Sequence, residues 1–342
     1  MARICIRTTA YNAEKTLRRA VDSVINQTHQ DFIYYLLDNG STDNGATRKI
    51  VDEYAKQDQR IKPFYNAENH VWDGQEKYVD LMYGVGDFDY YCVLDADDEY
   101  EHDFFEKALA FTRQHNLDIV ACGSQSFSEQ TGESLGKDYF IPNDMIIENN
   151  NFPEHFHSYH QFTCTVWGKL YPKSLLRKCC VEAVKKELIK EMIKERIAGD
   201  DVIFAMEAFS KAKRVGIMGG TLHKRYVSQN SVIALWNRNW NPKRVENDRV
   251  RADIERPFFT NKDGTISARN ELHLWRCYAA ALKATLTLLI RSNLGVSEKL
   301  RHLRDIFINE KTQTLIWRGH LWRVVAAKIQ GRWRRGNQTN YQ

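Results

Sequence analysis

Tyr90-Tyr91-Cys92-Val93-Leu94 runs directly into Asp95-Ala96-Asp97-Asp98, and the fold is read outward from this stretch. The first five residues are aromatic, β-branched or aliphatic and too few for a helix, so they read as a buried strand. The next four place three carboxylates at the carboxyl end of that strand. Such a group repels itself unless a positive charge joins it. A hard divalent cation is a natural partner, because it takes carboxylate and phosphate oxygens together. An acidic turn that caps the following helix is the competing reading.

The flanking sequence supplies the sheet around this strand. Arg3-Ile4-Cys5-Ile6-Arg7-Thr8 alternates as a first strand, and Asn12 is placed to cap a helix carrying Leu17, Ala20, Val21, Val24 and Ile25 at helical spacing. Phe32 to Leu37 is a second strand, closed by the turn composition Asp38-Asn39-Gly40-Ser41-Thr42-Asp43. A helix follows with Ala46, Ile50 and Tyr54 on one face, then a short strand from Ile61 to Tyr65 and a helix through Tyr78 and Leu81. Beyond Asp98 the pattern predicts a helix over roughly 102–115 and a strand from Asp118 to Cys122. Strands alternating with helices give an α/β, Rossmann-like fold with a mostly parallel sheet flanked by helices. Ligands bind such sheets at the carboxyl ends of strands. The loops Thr9–Asn12, Asp38–Asp43 and Asp95–Asp98 all fall at that edge. Residues 123–165 read as loop-rich and polar, Trp167 to Leu176 as renewed order, and Val181 to Ile197 as a charged helix with a solvated face.

Charge divides the chain. Residues 236–342 hold 21 Lys/Arg and 9 Asp/Glu, a net of +12, whereas residues 1–235 hold 28 and 35, a net of −7. The division predicts a catalytic domain over 1–235 and a basic, helical C-terminal region over 236–342 that faces an anionic partner. Seven cysteines, none in a CxxC pair, read as reduced thiols, and the N-terminus lacks a signal-peptide apolar core; both point to a cytoplasmic protein. Tyr278 to Ile290 is too short and too interrupted for a membrane span. His155, His157 and His160 have metal-ligand spacing, but no cysteine or carboxylate supports them, so a polar loop is the better reading.

Thr-x-Tyr-Asn-Ala-Glu-x-x-Leu from Thr9, Ser-Val-Ile-Asn-Gln-Thr from Ser23, Asp-Asn-Gly-Ser-Thr-Asp from Asp38 and Leu-Asp-Ala-Asp-Asp from Leu94 together resemble the family 2 glycosyltransferases of the GT-A fold, in that family's order and spacing. The resemblance is strong over about residues 2–125. It continues more weakly through Trp167-Gly168-Lys169-Leu170-Tyr171, Gly199-Asp200-Asp201 and Arg225 to Ser231. It implies a metal-dependent, inverting enzyme that moves a sugar from a nucleotide diphosphate donor, UDP-linked by expectation, to a hydroxyl of a glycan or glycolipid in surface polysaccharide or glycoconjugate synthesis. The cofactor implied is Mn2+ or Mg2+.

By the same resemblance Thr9, Tyr11, Asp38 and Asn39 hold the base and ribose, with Asp95 and Ala96 serving the nucleoside or sugar. Asp97 binds the metal, with Asp98 and His223 beside it. Lys77 serves the diphosphate. Asp201 is the general base, and Asp200 either supports it or caps its helix. Trp167, with Lys169, is the candidate acceptor platform, core packing being the alternative for the indole. Two departures stand out: Asn39 occupies a position where the family often has a second aspartate, and Val71 one where it commonly has glycine.

Two rivals follow from the same residues. A sugar nucleotidyltransferase shares this architecture but carries a glycine-rich basic loop after the first strand, which Thr8-Thr9-Ala10-Tyr11-Asn12 is not. A non-catalytic nucleotide- or glycan-binding module would have no use for both Asp97 and Asp201. The last 32 residues hold seven Lys/Arg and no acid. Leu321, Trp322, Val325, Ala326, Ile329 and Trp333 form a helical stripe there beside Arg323 and Arg334. Residues 311–342 therefore read either as a peripheral membrane contact or as a stripe docked on protein. No nucleic-acid motif is present, and oligomerisation is left open.

Overall fold

The structure is a computed structural model describing residues 2–69, 87–175, 200–228, 238–242, 244, 255–318, 320–326 and 328. The expected helices through Tyr78–Leu81 and Val181–Ile197 lie outside these residues, as do Lys77, Val71, Gly199, Ser231, Ile329, Trp333 and Arg334. The chain forms two compact units, Met1–Ser228 and Gln229–Gln342.

The first unit opens with β1 (Ile4–Ala10), α1 (Leu17–Ile25), β2 (Phe32–Asp38), α2 (Ala46–Gln57), β3 (Ile61–Tyr65) and β4 (Tyr90–Val93). β1 pairs in parallel with β2 and with β4, and β2 pairs in parallel with β3. In register, Ala10 lies beside Asp38 and Asp38 beside Tyr65, so the three strands end together. β2 is buried along almost its whole length, as a strand covered on both faces must be. α1 buries Leu17, Ala20, Val21 and Val24, the apolar stripe read from the sequence.

The helix begins at Leu17 rather than at Asn12, and Thr16 precedes it. Asn12 instead adopts a left-handed φ of 50°, which asparagine tolerates better than most residues. Its side chain binds the second loop: Oδ1 accepts from Thr42 N at 2.7 Å, Nδ2 donates to Thr42 Oγ1 at 3.2 Å, and Asn12 N donates to Ser41 Oγ at 3.0 Å.

After β4 come β5 (Glu99–Tyr100), α3 (Phe104–His115), β6 (Ile119–Ser128), β7 (Ser134–Asp138), β8 (Met145–Ile147), α4 (Phe152–Tyr159), β9 (Lys169–Pro172), α5 (Asp200–Lys211) and β10 (Val215–Val227). Together they complete a mixed sheet of order β3-β2-β1-β4-β9-β6-β10-β5, with β7 on β6 and β8 on β10. The loop-rich stretch expected over 123–165 thus also holds regular elements that the sequence reading missed. β6 continues six residues past Cys122, and α4 places Phe152, Phe156 and Tyr159 in the interior. Polar residues such as Ser124 and Ser126 are buried in β6 because they bond to side chains from β10 and β7. His155, His157 and His160 lie on or just after α4, where the rings of His157 and His160 pack against Phe156.

The second unit contains α6 (Ala268–Arg291), α7 (Val296–Ile308) and α8 (Glu310–Trp317). Ser267 caps α6 by accepting from Asn270 N. Trp275, Tyr278 and Leu315 form its small core, tied by a 2.9 Å hydrogen bond between the Tyr278 hydroxyl and Thr312 Oγ1. Leu315 and Thr312 thus pack within the unit, whereas the described residues of the expected stripe, Leu321, Trp322, Val325 and Ala326, are exposed. Among the described residues no helix is long and apolar enough to cross a membrane, and the cysteines are free thiols.

Candidate nucleotide and metal site

The strand-end loops are built from short polar bridges. Asp38 Oδ1 accepts from Ser41 N at 3.0 Å, making the turn after β2. Asn39 Nδ2 donates to Asn69 Oδ1 at 2.9 Å, and Asn66 Nδ2 donates to Asn39 Oδ1 at 2.6 Å. Asp38 and Asn39 are both buried. Gly40 carries φ +69°, and a Cβ there would lie 2.3 Å from the backbone carbon of Glu68. Only glycine meets both demands. Thr9 and Tyr11 stand exposed beside this turn, Tyr11 at 43 %. Thr8, one position earlier, is buried and locks β1 to β4: its Oγ1 accepts from the Tyr34 hydroxyl at 2.9 Å and donates to Leu94 O at 2.8 Å.

The turn after β4 holds the carboxylates. Asp98 N closes it by donating to Asp95 O at 3.2 Å. Ligand-capable oxygens of Asp95, Asp97 and Asp98 lie within 4.8 Å of one another. Asp95 is exposed, Ala96 and Asp97 are half-buried, and Asp98 is buried. Burial, with Asp95 and Asp97 close by, holds the Asp98 carboxyl well above the usual carboxylate range. Burial also raises Asp97, and Glu129 adds to it, while Arg19 and Arg225 pull it back.

Asp98 is the link to the other half of the sheet. Its Oδ1 accepts from Tyr226 N at 2.9 Å, and its Oδ2 lies 3.4 Å from His223 Nε2. The pair is not ionic. Burial, followed by the charges of Lys169 and Arg225, drives His223 well below its ordinary value and leaves a neutral imidazole. Nδ1 bonds Ser124 Oγ at 2.9 Å, whereas the buried Nε2 has no hydrogen-bond partner.

The Trp167 ring stacks on His223, with centroids 4.1 Å apart and planes 8° apart. Only 6 % of Trp167 is exposed, so it is a buttress for the histidine rather than an open sugar platform. Lys169 is likewise turned inward at 1 % exposure. Its Nζ donates to Thr165 O at 2.8 Å, Thr165 Oγ1 at 2.9 Å and Trp167 O at 2.9 Å. The acceptor contacts expected of both residues are corrected on this ground: neither presents a surface, because burying an ammonium requires that its donors be met from within. Gly168 between them, at φ +68°, donates its N–H to the Tyr100 hydroxyl, which in turn donates to Val93 O.

Arg19, on α1, is the site residue that the sequence did not reveal. Its Nη2 donates to Asp97 O at 2.6 Å and to Glu129 Oε2 at 2.8 Å, and its guanidinium lies 3.6 Å from the centre of the Tyr226 ring. The Tyr226 hydroxyl donates to Glu99 Oε1 at 2.9 Å. In sequence Arg19 is one polar residue on an amphipathic helix, and its partners are 78 to 207 positions away, so no local signal marks it.

Asp200 and Asp201 are the first residues of α5. That helix sits against β9 through Phe204, whose ring packs edge-on to Tyr171 at 5.2 Å. The structure thus brings Asp95, Asp97, Asp98 and His223 into one cluster, and Thr9, Tyr11, Asp38 and Asn39 to the neighbouring strand ends.

The family model for "Glycosyl transferase family 2" matches residues 5–177, half of the chain. The chain belongs to glycosyl transferase family 2. Glycosyltransferase GlyA of Streptococcus pneumoniae is 24 % identical over 245 residues, covering 70 % of this chain and 32 % of GlyA. EpsJ of Bacillus subtilis, an uncharacterized glycosyltransferase, is 25 % identical over 230 residues, covering 66 % of this chain and 61 % of EpsJ. The family 2 chain thus spans about a third to three-fifths of these relatives' lengths. Among solved structures, S. aureus TarS 1–349 in complex with UDP-GlcNAc superposes with a TM-score of 0.58 at 17 % identity, over 92 % of this chain and 84 % of that one. A mannosyltransferase from Pyrobaculum calidifontis in complex with GDP-Man and Mn2+ gives 0.50 at 14 % identity, over 96 % and 87 %. These likenesses establish the GT-A fold of the family 2 chain.

Proposed function

We propose that this family 2 protein transfers a sugar from a UDP-linked donor to a hydroxyl of a glycan or glycolipid, with inversion and with Mn2+ or Mg2+. The carboxylate turn after β4 carries the reading. Three hard oxygen donors are held within 4.8 Å beside a buried imidazole nitrogen with no hydrogen-bond partner, and burial and mutual crowding raise Asp98. A divalent ion relieves that crowding, so the residues fit the metal. Asp97 would hold it, with Asp98 and His223 behind. When bound, the ion would neutralise the diphosphate as it leaves.

The remaining roles belong to the chain's own groups. Thr9, Tyr11, Asp38 and Asn39 would meet the nucleoside at the ends of β1 and β2, while Asp95 and Ala96 meet the ribose or sugar. Lys77, outside the described residues, would serve the diphosphate. Asp201 would take the acceptor proton, since the hydroxyl must lose it as it attacks an oxocarbenium-like centre. Asp200, at the first position of α5, would favour the helix N-terminus through its charge. Support for a nucleotide-sugar donor comes from the fold shared with proteins solved with UDP-GlcNAc and GDP-Man.

A panel of UDP-, GDP- and dTDP-sugars, assayed for nucleotide diphosphate release with Mn2+ and with EDTA, tests this. Release from a UDP-sugar that stops on chelation is expected. Release of pyrophosphate from a sugar phosphate and UTP would assign a nucleotidyltransferase instead, and no release with any donor would leave a binding module.

A further inference from the structure

We propose that residues 290–328 of the second unit form a docking surface for an anionic phospholipid bilayer. The inference does not rest on the sugar-transfer reading. Large apolar side chains are seldom left open to water in quantity, and a concentration of them marks an interface. Among the described residues, nine between 290 and 325 are exposed: Ile290, Val296, Leu300, Phe307, Ile308, Trp317, Leu321, Trp322 and Val325. In the first unit only Tyr11, Leu135 and Val227 are so exposed among the described residues. Trp317 is 82 % exposed and Trp322 74 %.

These residues are not a core waiting to close, because the same helices already have one. Leu289, Ile306 and Leu315 are buried, Leu315 packs against Trp275 and Tyr278, and His320 stacks on Trp275 at 4.4 Å. On α7 the exposed Val296, Leu300 and Phe307 recur at four- and seven-residue spacing, which makes one stripe along the helix.

Charge selects the occupant. Residues 291–342 contain 11 Lys/Arg and 3 Asp/Glu, a net of +8. Arg291, Arg301, Arg304, Arg318, Arg323 and Lys328 are exposed among the apolar side chains. The centre of a protein interface is depleted in charged residues, whereas here cations follow the apolar side chains along the chain, as in Trp317-Arg318 and Trp322-Arg323. Indoles interleaved with cations suit the lipid headgroup layer, where the ring lies at the acyl boundary and the cation meets phosphate. Since no described helix is long and apolar enough to span a bilayer, the contact is lateral.

The test is flotation of the full chain with vesicles of phosphatidylcholine alone or with one-third phosphatidylglycerol. Binding to the anionic vesicles is expected to be at least tenfold tighter, and to weaken as salt is raised. Arg318→Gln with Arg323→Gln and Lys328→Gln should weaken it about a hundredfold, at roughly fivefold for each cation lost. Trp317→Ser with Trp322→Ser should weaken it about tenfold or more, by loss of buried ring area. Both variants should melt with the native protein, because the altered side chains are exposed. Failure to float with anionic vesicles, equal binding to both vesicles, or unchanged binding by both variants overturns the proposal. So does a native oligomer that the double tryptophan variant converts to monomer without any vesicle binding; that result assigns the face to a second copy.

Discussion

Replacing Arg19 with methionine tests how the carboxylate turn is held. Methionine keeps an apolar chain of similar length, and what is lost is the guanidinium, including its place over the Tyr226 ring. A hydrogen bond from a charged donor, such as the 2.6 Å bond to Asp97 O, contributes about 1.5–3 kcal/mol. The stacking on Tyr226 at 3.6 Å adds about 0.5–1 kcal/mol. The pair with Glu129 is a quarter exposed and adds about 0–1 kcal/mol. Removing the guanidinium also removes the cost of desolvating it, so the net destabilisation expected is about 2 kcal/mol. At about 2–4 °C per kcal/mol for a unit of this size, Tm should fall by about 4–8 °C. Arg19→Lys keeps a charge for Glu129 but loses the planar fork, and should recover about half of the fall. Thermal unfolding of both variants, with calorimetric titration of UDP and Mn2+, measures the effect. Binding should weaken about tenfold with methionine, because the Asp97 backbone loses its anchor. A Tm within about 1 °C of native for both variants, with unchanged binding, would refute the reasoning and leave the turn to its own Asp98–Asp95 hydrogen bond.

Three further outcomes are expected. Gly40→Ala combines φ +69° with a 2.3 Å approach to Glu68 and should cost about 2–5 kcal/mol by denaturant unfolding; a midpoint within error of native would contradict it. Trp167→Ala should cost about 3–5 kcal/mol, because it removes a buried ring stacked on His223, and should lower activity only through the altered site rather than through acceptor KM alone. Asp201→Asn should leave UDP binding intact while transfer falls about a hundredfold or more, and an equal loss of both would make the residue a structural one in the first turn of α5 instead.

The parallel half of the fold was legible because its signals are local. β1, β2, β3 and β4 are short apolar runs closed by turn residues, and α1 shows its stripe at helical spacing. The second half was not. β6 and β10 carry buried Ser124, Ser126 and His223: Ser124 bonds His223, and Ser126 accepts from Arg225 Nε, each across 99 positions. A polar residue whose partner is that distant looks like loop. Asn12 was misread for a related reason: asparagine suits a helix cap and a left-handed bridge equally, and only the presence of Ser41 and Thr42 across the gap decides. The carboxylate turn was legible from its charge density, whereas Arg19 and the burial of Trp167 and Lys169 depend on packing that composition does not encode.

Calorimetric titration of UDP into the native chain and into Asp97→Asn, each with Mn2+ and with EDTA, measures the central claim most directly. The account predicts binding by the native protein that weakens at least tenfold on chelation, and binding by Asp97→Asn that is weak and indifferent to Mn2+. Native affinity that is the same with Mn2+ and EDTA, or an Asp97→Asn variant that keeps the full metal effect, would contradict the assignment of the Asp95–Asp98 turn as the metal and nucleotide centre.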